Sequence, residues 1–93
     1  MNKSKLKQAR KKIDSLDRKI FKLVARRTKV VNYMLDLKKY KNQIVDHKRI
    51  KTILRSVRIK SIKNKIDPKI TQKIWTSMIW AYVDYQKKNF KKK

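Results

Sequence analysis

Apolar side chains recur at Ile13, Leu16, Ile20 and Leu23, and again at Val30, Met34 and Leu37, in steps that alternate between three and four. That spacing marks one face of an α-helix. No proline or glycine interrupts the stretch, so the pattern predicts a single helix from about residue 4 to 39, about 54 Å long at a rise of about 1.5 Å per residue. A compact domain of this chain's length has a radius of gyration of about 12 Å, and a rod of that size overhangs anything the remaining residues can build. Its apolar seam needs a second copy of the chain to cover it, which predicts an intertwined homodimer.

Residues 40–45 read as a connection. Asp46 stands where a carboxylate caps a second helix, about 46–64, with Ile50, Ile53, Leu54 and Val57 inward. Asp67-Pro68 is a further start signal, because proline at the first helical position gives up an N–H that would have no partner there. The third helix then runs over about 68–89, with Trp75, Met78, Ile79, Tyr82 and Tyr85 on its buried side, and a basic tail follows at 90–93. The expected fold is all-α, three helices per protomer in one domain spanning 1–93.

Composition narrows the chemistry. There is no glycine, one proline and no cysteine, and His47 is the single histidine. Thiolate and histidine-rich metal sites are therefore excluded, and no metal or cofactor is expected. Thirty Lys and Arg face six acids, a formal net charge of +24. Such a charge attracts polyanions whatever the fold. The basic residues are nevertheless spread through the whole chain rather than gathered in one stripe, Lys87, Lys88 and Lys91 to Lys93 apart. A groove-reading protein concentrates them. The excess of Lys, Ile, Asn and Tyr is also what AT-rich coding produces, so the charge reads as solvated surface and no specific nucleic acid is expected. No apolar run approaches the roughly 20 residues that span a bilayer, and the charged N-terminus has no apolar segment behind it. The expectation is a cytoplasmic protein without a membrane partner.

Polar residues break the apolar pattern at three places. The series 13, 16, 20, 23 continues to position 27, which is Arg27, and Lys38 lies eleven residues on, within about 20° of the same face. Trp75, Ile79, Tyr82 and Gln86 fall at steps of four, three and four, which puts an amide on an apolar stripe. In the plainer reading Arg27 pairs with Asp17 or Asp36, Lys38 reaches out to water and Gln86 bonds to backbone. In the other, these groups hold an anion from outside, because six acids cannot neutralise thirty bases.

The stretch Ala9-Arg10-Lys11-Lys12-Ile13-Asp14-Ser15-Leu16-Asp17-Arg18-Lys19-Ile20, followed by Leu23-Val24-Ala25-Arg26-Arg27, resembles the opening helix of the all-α chorismate mutase family. The resemblance continues through Lys38, through Val45-Asp46-His47-Lys48-Arg49 and Ile66-Asp67-Pro68, and ends at Gln86. It implies two protomers that interlock their long helices, with each site built mainly from one chain. Arg10 resembles the arginine donated by the partner, Arg27 the one that clasps a substrate carboxylate, Lys38 the lysine on a carboxylate and the ether oxygen, and Gln86 the amide on that same oxygen. Asp46 and Arg49 match positions near the ring hydroxyl and a carboxylate. The implied substrate is a small dianion, chorismate, and the implied reaction makes prephenate in aromatic amino acid biosynthesis. It breaks a C–O bond while forming a C–C bond, and needs no nucleophile, metal or general base.

Two substitutions depart from the family. Ile50 stands where the mutases carry a glutamate for the ring hydroxyl, and Tyr82 where they often carry a small polar residue. Both resemble the sister isochorismate-pyruvate lyases, which give salicylate and pyruvate; Asp46, which the lyases tend to lack, favours the mutase. Two further classes stay open at this point. One is a basic nucleic-acid-binding module, on the charge and on Trp80, Tyr85 and Phe90 among lysines; the other is a non-catalytic helical dimer.

Overall fold

A computed structural model of the chain describes residues 2–92. Three helices follow one another, α1 (Lys3–Leu37), α2 (His47–Lys63) and α3 (Pro68–Asn89), with one 3₁₀ turn, Lys41–Gln43, between the first two. No strand occurs among the described residues, and the all-α, three-helix class read from the pattern is the class observed.

Each helix end has a local cause. The Lys5 N–H donates to the side-chain oxygen of Asn2 (3.1 Å), which caps α1. The Asp46 carboxylate accepts the Arg49 N–H (2.9 Å) at the start of α2, and the Asp67 carboxylate accepts the Lys69 N–H (2.9 Å) beside Pro68 at the start of α3. At the C-terminus of α2, Ile66 N–H donates to Ser61 O (2.9 Å) and Lys65 N–H to Ile62 O (3.2 Å). This is the paired closure of a Schellman motif. It needs a left-handed residue, and in a chain without glycine Lys65 takes that role at φ 58°.

The chain divides into two compact units, one up to Tyr33 and one from Met34 onward. The first is a single run of helix. Its seam residues Ile13, Leu16, Ile20 and Leu23 remain 51 to 59% exposed. Val31, beside the seam rather than on it, is the buried apolar residue here.

The second unit has its own core of Leu35, Ile44 and Val83, with Val45 and Phe90 packed against it. Ile50, Ile53, Leu54 and Val57 are half-buried along α2, and Ile79 and Val83 are buried on α3. Tyr85 was expected on the buried side and is instead exposed. The reason is angular. Val83 and Gln86 lie within about 40° of Ile79 on the helix, whereas Tyr85 lies about 120° away. Where α2 and α3 meet, the buried hydroxyl of Ser61 donates to Val57 O (2.6 Å) and shares a hydrogen bond with the Thr71 hydroxyl.

Candidate functional site

Lys38 is the first residue past α1, and its N–H donates to Leu35 O (3.1 Å) as the helix closes. Its ammonium donates to the side-chain oxygen of Gln86 at 2.7 Å, across 48 residues of sequence. Gln86 is 92% buried on α3, and its own Nε2 donates to the Tyr82 carbonyl one turn back (3.2 Å). That second bond fixes which way the amide points. With Nε2 held by the backbone, Oε1 faces the lysine, and the charge-assisted bond between them is of the stronger kind. Gln86 thus bonds to backbone, as the plainer reading expects, and it also holds the Lys38 ammonium.

The pair is not saturated. An ammonium has three donors and a primary amide two, and the bonds above use one of each. Burial lowers the Lys38 pKa from the usual 10.5, while the Asp46 carboxylate nearby opposes that shift. A partly desolvated cation next to an amide with a spare N–H is suited to an oxygen that carries or develops negative charge.

The remaining candidates occupy different surroundings. Asp46 is exposed and, besides its field on Lys38, caps α2 through Arg49 N–H. Arg49 has an exposed side chain, and Ile50, the position where the family's glutamate is missing, is half-buried. Tyr82 is half-buried and contributes its carbonyl to Gln86. Arg10 and Arg27 belong to the first unit: Arg10 is exposed, whereas Arg27 is half-buried with its Nη1 atom enclosed. The second unit therefore assembles Lys38, Gln86, the Tyr82 backbone and Asp46.

A groove of the second unit lies elsewhere. It encloses about 440 Å³ between α2 and α3, and Ile53, Val57, Lys60, Ser61 and Trp75 line it. Of the eight residues singled out from the sequence, Arg49 alone reaches it. Gln43 lies in the connection between α1 and α2 and carries no signal in the apolar pattern. Its side-chain oxygen accepts the N–H groups of Lys39 (2.8 Å) and Tyr40 (2.9 Å). Nothing in hydrophobic periodicity signals such a role, because the residue is exposed and belongs to neither long helix.

A model of the family described as chorismate mutase type II matches residues 9–87 of the chain. The chain belongs to that family. No curated protein and no solved structure gives a match. For this chorismate mutase family member the match spans all three helices and every candidate residue, from Arg10 to Gln86. Membership indicates an enzyme of the chorismate mutase type. Among the described residues there is no group of three or more His, Cys, Asp or Glu placed to hold a metal ion, and no helix long and apolar enough to cross a membrane.

Proposed function

We propose that this protein converts chorismate to prephenate in the cytoplasm, in the pathway to aromatic amino acids, as an interlocked homodimer without a cofactor. The observation that carries the reading is the 2.7 Å bond between the Lys38 ammonium and the Gln86 amide, with the lysine desolvated enough to lower its pKa. The rearrangement is concerted: the ether C–O bond breaks as a C–C bond forms, and no atom leaves. Acceleration then comes from holding the enolpyruvyl arm over the ring and from stabilising charge on the ether oxygen. Lys38, with two unused donors, and the spare Nε2 hydrogen of Gln86 address that oxygen. Arg27 and the partner-donated Arg10 fix the carboxylates, and Asp46 and Arg49 lie toward the ring hydroxyl and the second carboxylate.

Dimerisation is supported by what one chain leaves uncovered. Ile13, Leu16, Ile20 and Leu23 are each more than half exposed in the single protomer. Covering their exposed portions is worth about 1 kcal/mol per side chain. The open groove between α2 and α3 offers apolar surface of the kind such a seam needs.

Ile50 and Tyr82 support a second reading, isochorismate-pyruvate lyase. A half-buried isoleucine cannot accept a hydrogen bond from a ring hydroxyl, so recognition there is by shape alone. Incubating the purified protein separately with chorismate and isochorismate, and following prephenate against salicylate, decides between them. Turnover of neither substrate overturns both. A complementation test addresses the shared site: Arg10→Ala and Lys38→Met, each inactive alone, regain about a quarter of wild-type activity when mixed and refolded together, because half the dimers are mixed and each has one intact site. Failure to regain activity rules out the donated arginine.

A further inference from the structure

We propose that Gln43 is a positioning residue for Lys38, acting through the backbone turn that follows α1; this rests on the catalytic reading of Lys38 given above. Gln43 lies on the 3₁₀ turn Lys41–Gln43 and its side chain folds back along the chain. The amide oxygen accepts two consecutive N–H groups, Lys39 at 2.8 Å and Tyr40 at 2.9 Å. The Gln43 N–H in turn donates to Tyr40 O at 3.1 Å, and the Ile44 N–H to Lys41 O at 3.1 Å. The ring of bonds is local, and it closes on the residue next to Lys38.

Its consequence follows from where helix α1 stops. Lys38 is past the last residue of α1 and is bound to the helix by one N–H, donated to Leu35 O. The next two N–H groups point away from any helical carbonyl, and without an acceptor they would turn to water in many backbone conformations. Gln43 gathers both onto one oxygen and so leaves the peptide after Lys38 a single direction. Downstream, Ile44 is 95% buried in the core with Leu35 and Val83. The turn is thus anchored at both ends, by Leu35 before it and Ile44 after it, and both anchors sit in the core that carries Val83, one turn from Gln86. Lys38 has a long flexible stem, and its Nζ meets the buried amide at 2.7 Å because its backbone does not drift. A displacement of about 1 Å in such a group lowers turnover by up to about a hundredfold.

Because Gln43 is exposed, it can be changed without opening a cavity. Gln43→Met keeps the length and removes the acceptor, whereas Gln43→Glu keeps an oxygen that accepts both N–H groups. The expected result for Gln43→Met is a fall in kcat of about tenfold or more with KM within about twofold of wild type, with Gln43→Glu within about threefold in kcat. The amides of Lys39 and Tyr40 exchange at least about tenfold faster in Gln43→Met than in the wild type, and the Lys38 ammonium titrates closer to an ordinary lysine, both read by NMR. Wild-type kinetics in Gln43→Met, or equal damage in both variants, overturns the proposal. If the wild-type chain turns over neither chorismate nor isochorismate, the catalytic reading fails by itself. The NMR readouts then decide the positioning claim: unchanged exchange at Lys39 and Tyr40, or an unchanged Lys38 titration, overturns it.

Discussion

The two units of this chain both leave apolar side chains exposed, and they differ in that the second also buries a small cluster of its own. Up to Tyr33 the apolar side chains form a stripe that stays exposed, with Ile13, Leu16, Ile20 and Leu23 all above half of their full exposure. From Met34 onward Leu35, Ile44 and Val83 bury one another within the chain, while Ile59, Ile62, Ile70 and Ile74 stay as exposed as the stripe of the first unit. The first unit has strong periodicity and buries one apolar residue, Val31; the second has a small core and keeps a buried amide and a half-buried cation beside it. A regular hydrophobic pattern therefore reports that a surface will be covered, and leaves open which chain covers it.

The largest expected effect separates the chemistry of the second unit from its stability. Lys38→Met should lower kcat by about 10² to 10³, as loss of one preorganised donor does, with little change in helix content by circular dichroism. The substitution removes a cation that burial disfavours, so a drop in stability as large as the drop in activity would mean the lysine is structural. The same residue sets a pH limit. Since burial holds its pKa below 10.5, activity should fall on the alkaline side before an ordinary lysine would lose its proton, and Lys38→Arg should move that fall upward. The sign for stability is opposite. Between the lowered pKa and 10.5 the unfolded chain binds more protons than the folded one, so this group's contribution rises with pH across that window.

The next effect tests the first unit. Ile20→Asp places a charge on the exposed seam, and should remove the concentration dependence of Tm expected for a dimer while touching no residue of the Leu35, Ile44 and Val83 core. Sedimentation equilibrium gives the direct reading, and a variant that still dimerises as the wild type does would place the interface elsewhere. Val83→Ala is the matching change in the second unit. It removes two buried methyl groups and should lower stability by about 2 kcal/mol in urea denaturation at a fixed protein concentration. The smallest effect is at the α2 to α3 reversal, where Lys65→Gly relieves a left-handed side chain and should raise stability by about 0.5 to 1 kcal/mol.

How much of this was legible in the sequence follows from what each signal encodes. Helix content was legible because periodicity, two aspartate caps and Pro68 all point the same way, and the three-helix class is the one observed. Gln86 stood out because a polar residue on an apolar stripe is costly unless it is partnered, and in the structure it is partnered twice. That its partner is Lys38 could not be read from spacing, since 48 residues separate them and only the resemblance linked the two. Step counting puts Tyr85 on the buried face because it treats a face as wider than the contact it makes, and Tyr85 is exposed. Gln43 gave no signal at all, because a side chain that bonds its own backbone leaves hydrophobicity unchanged.

The bond from Gln86 to residue 82 uses a main-chain carbonyl. Any amino acid at that position offers the same oxygen, so the side chain there can be exchanged without turning the amide round. A protein engineer wishing to alter which isomer fits could vary position 82 broadly and still retain the orientation of the group above it. Divergence between related activities has the same route open to it, one in which selectivity changes while the reactive oxygen's reception does not.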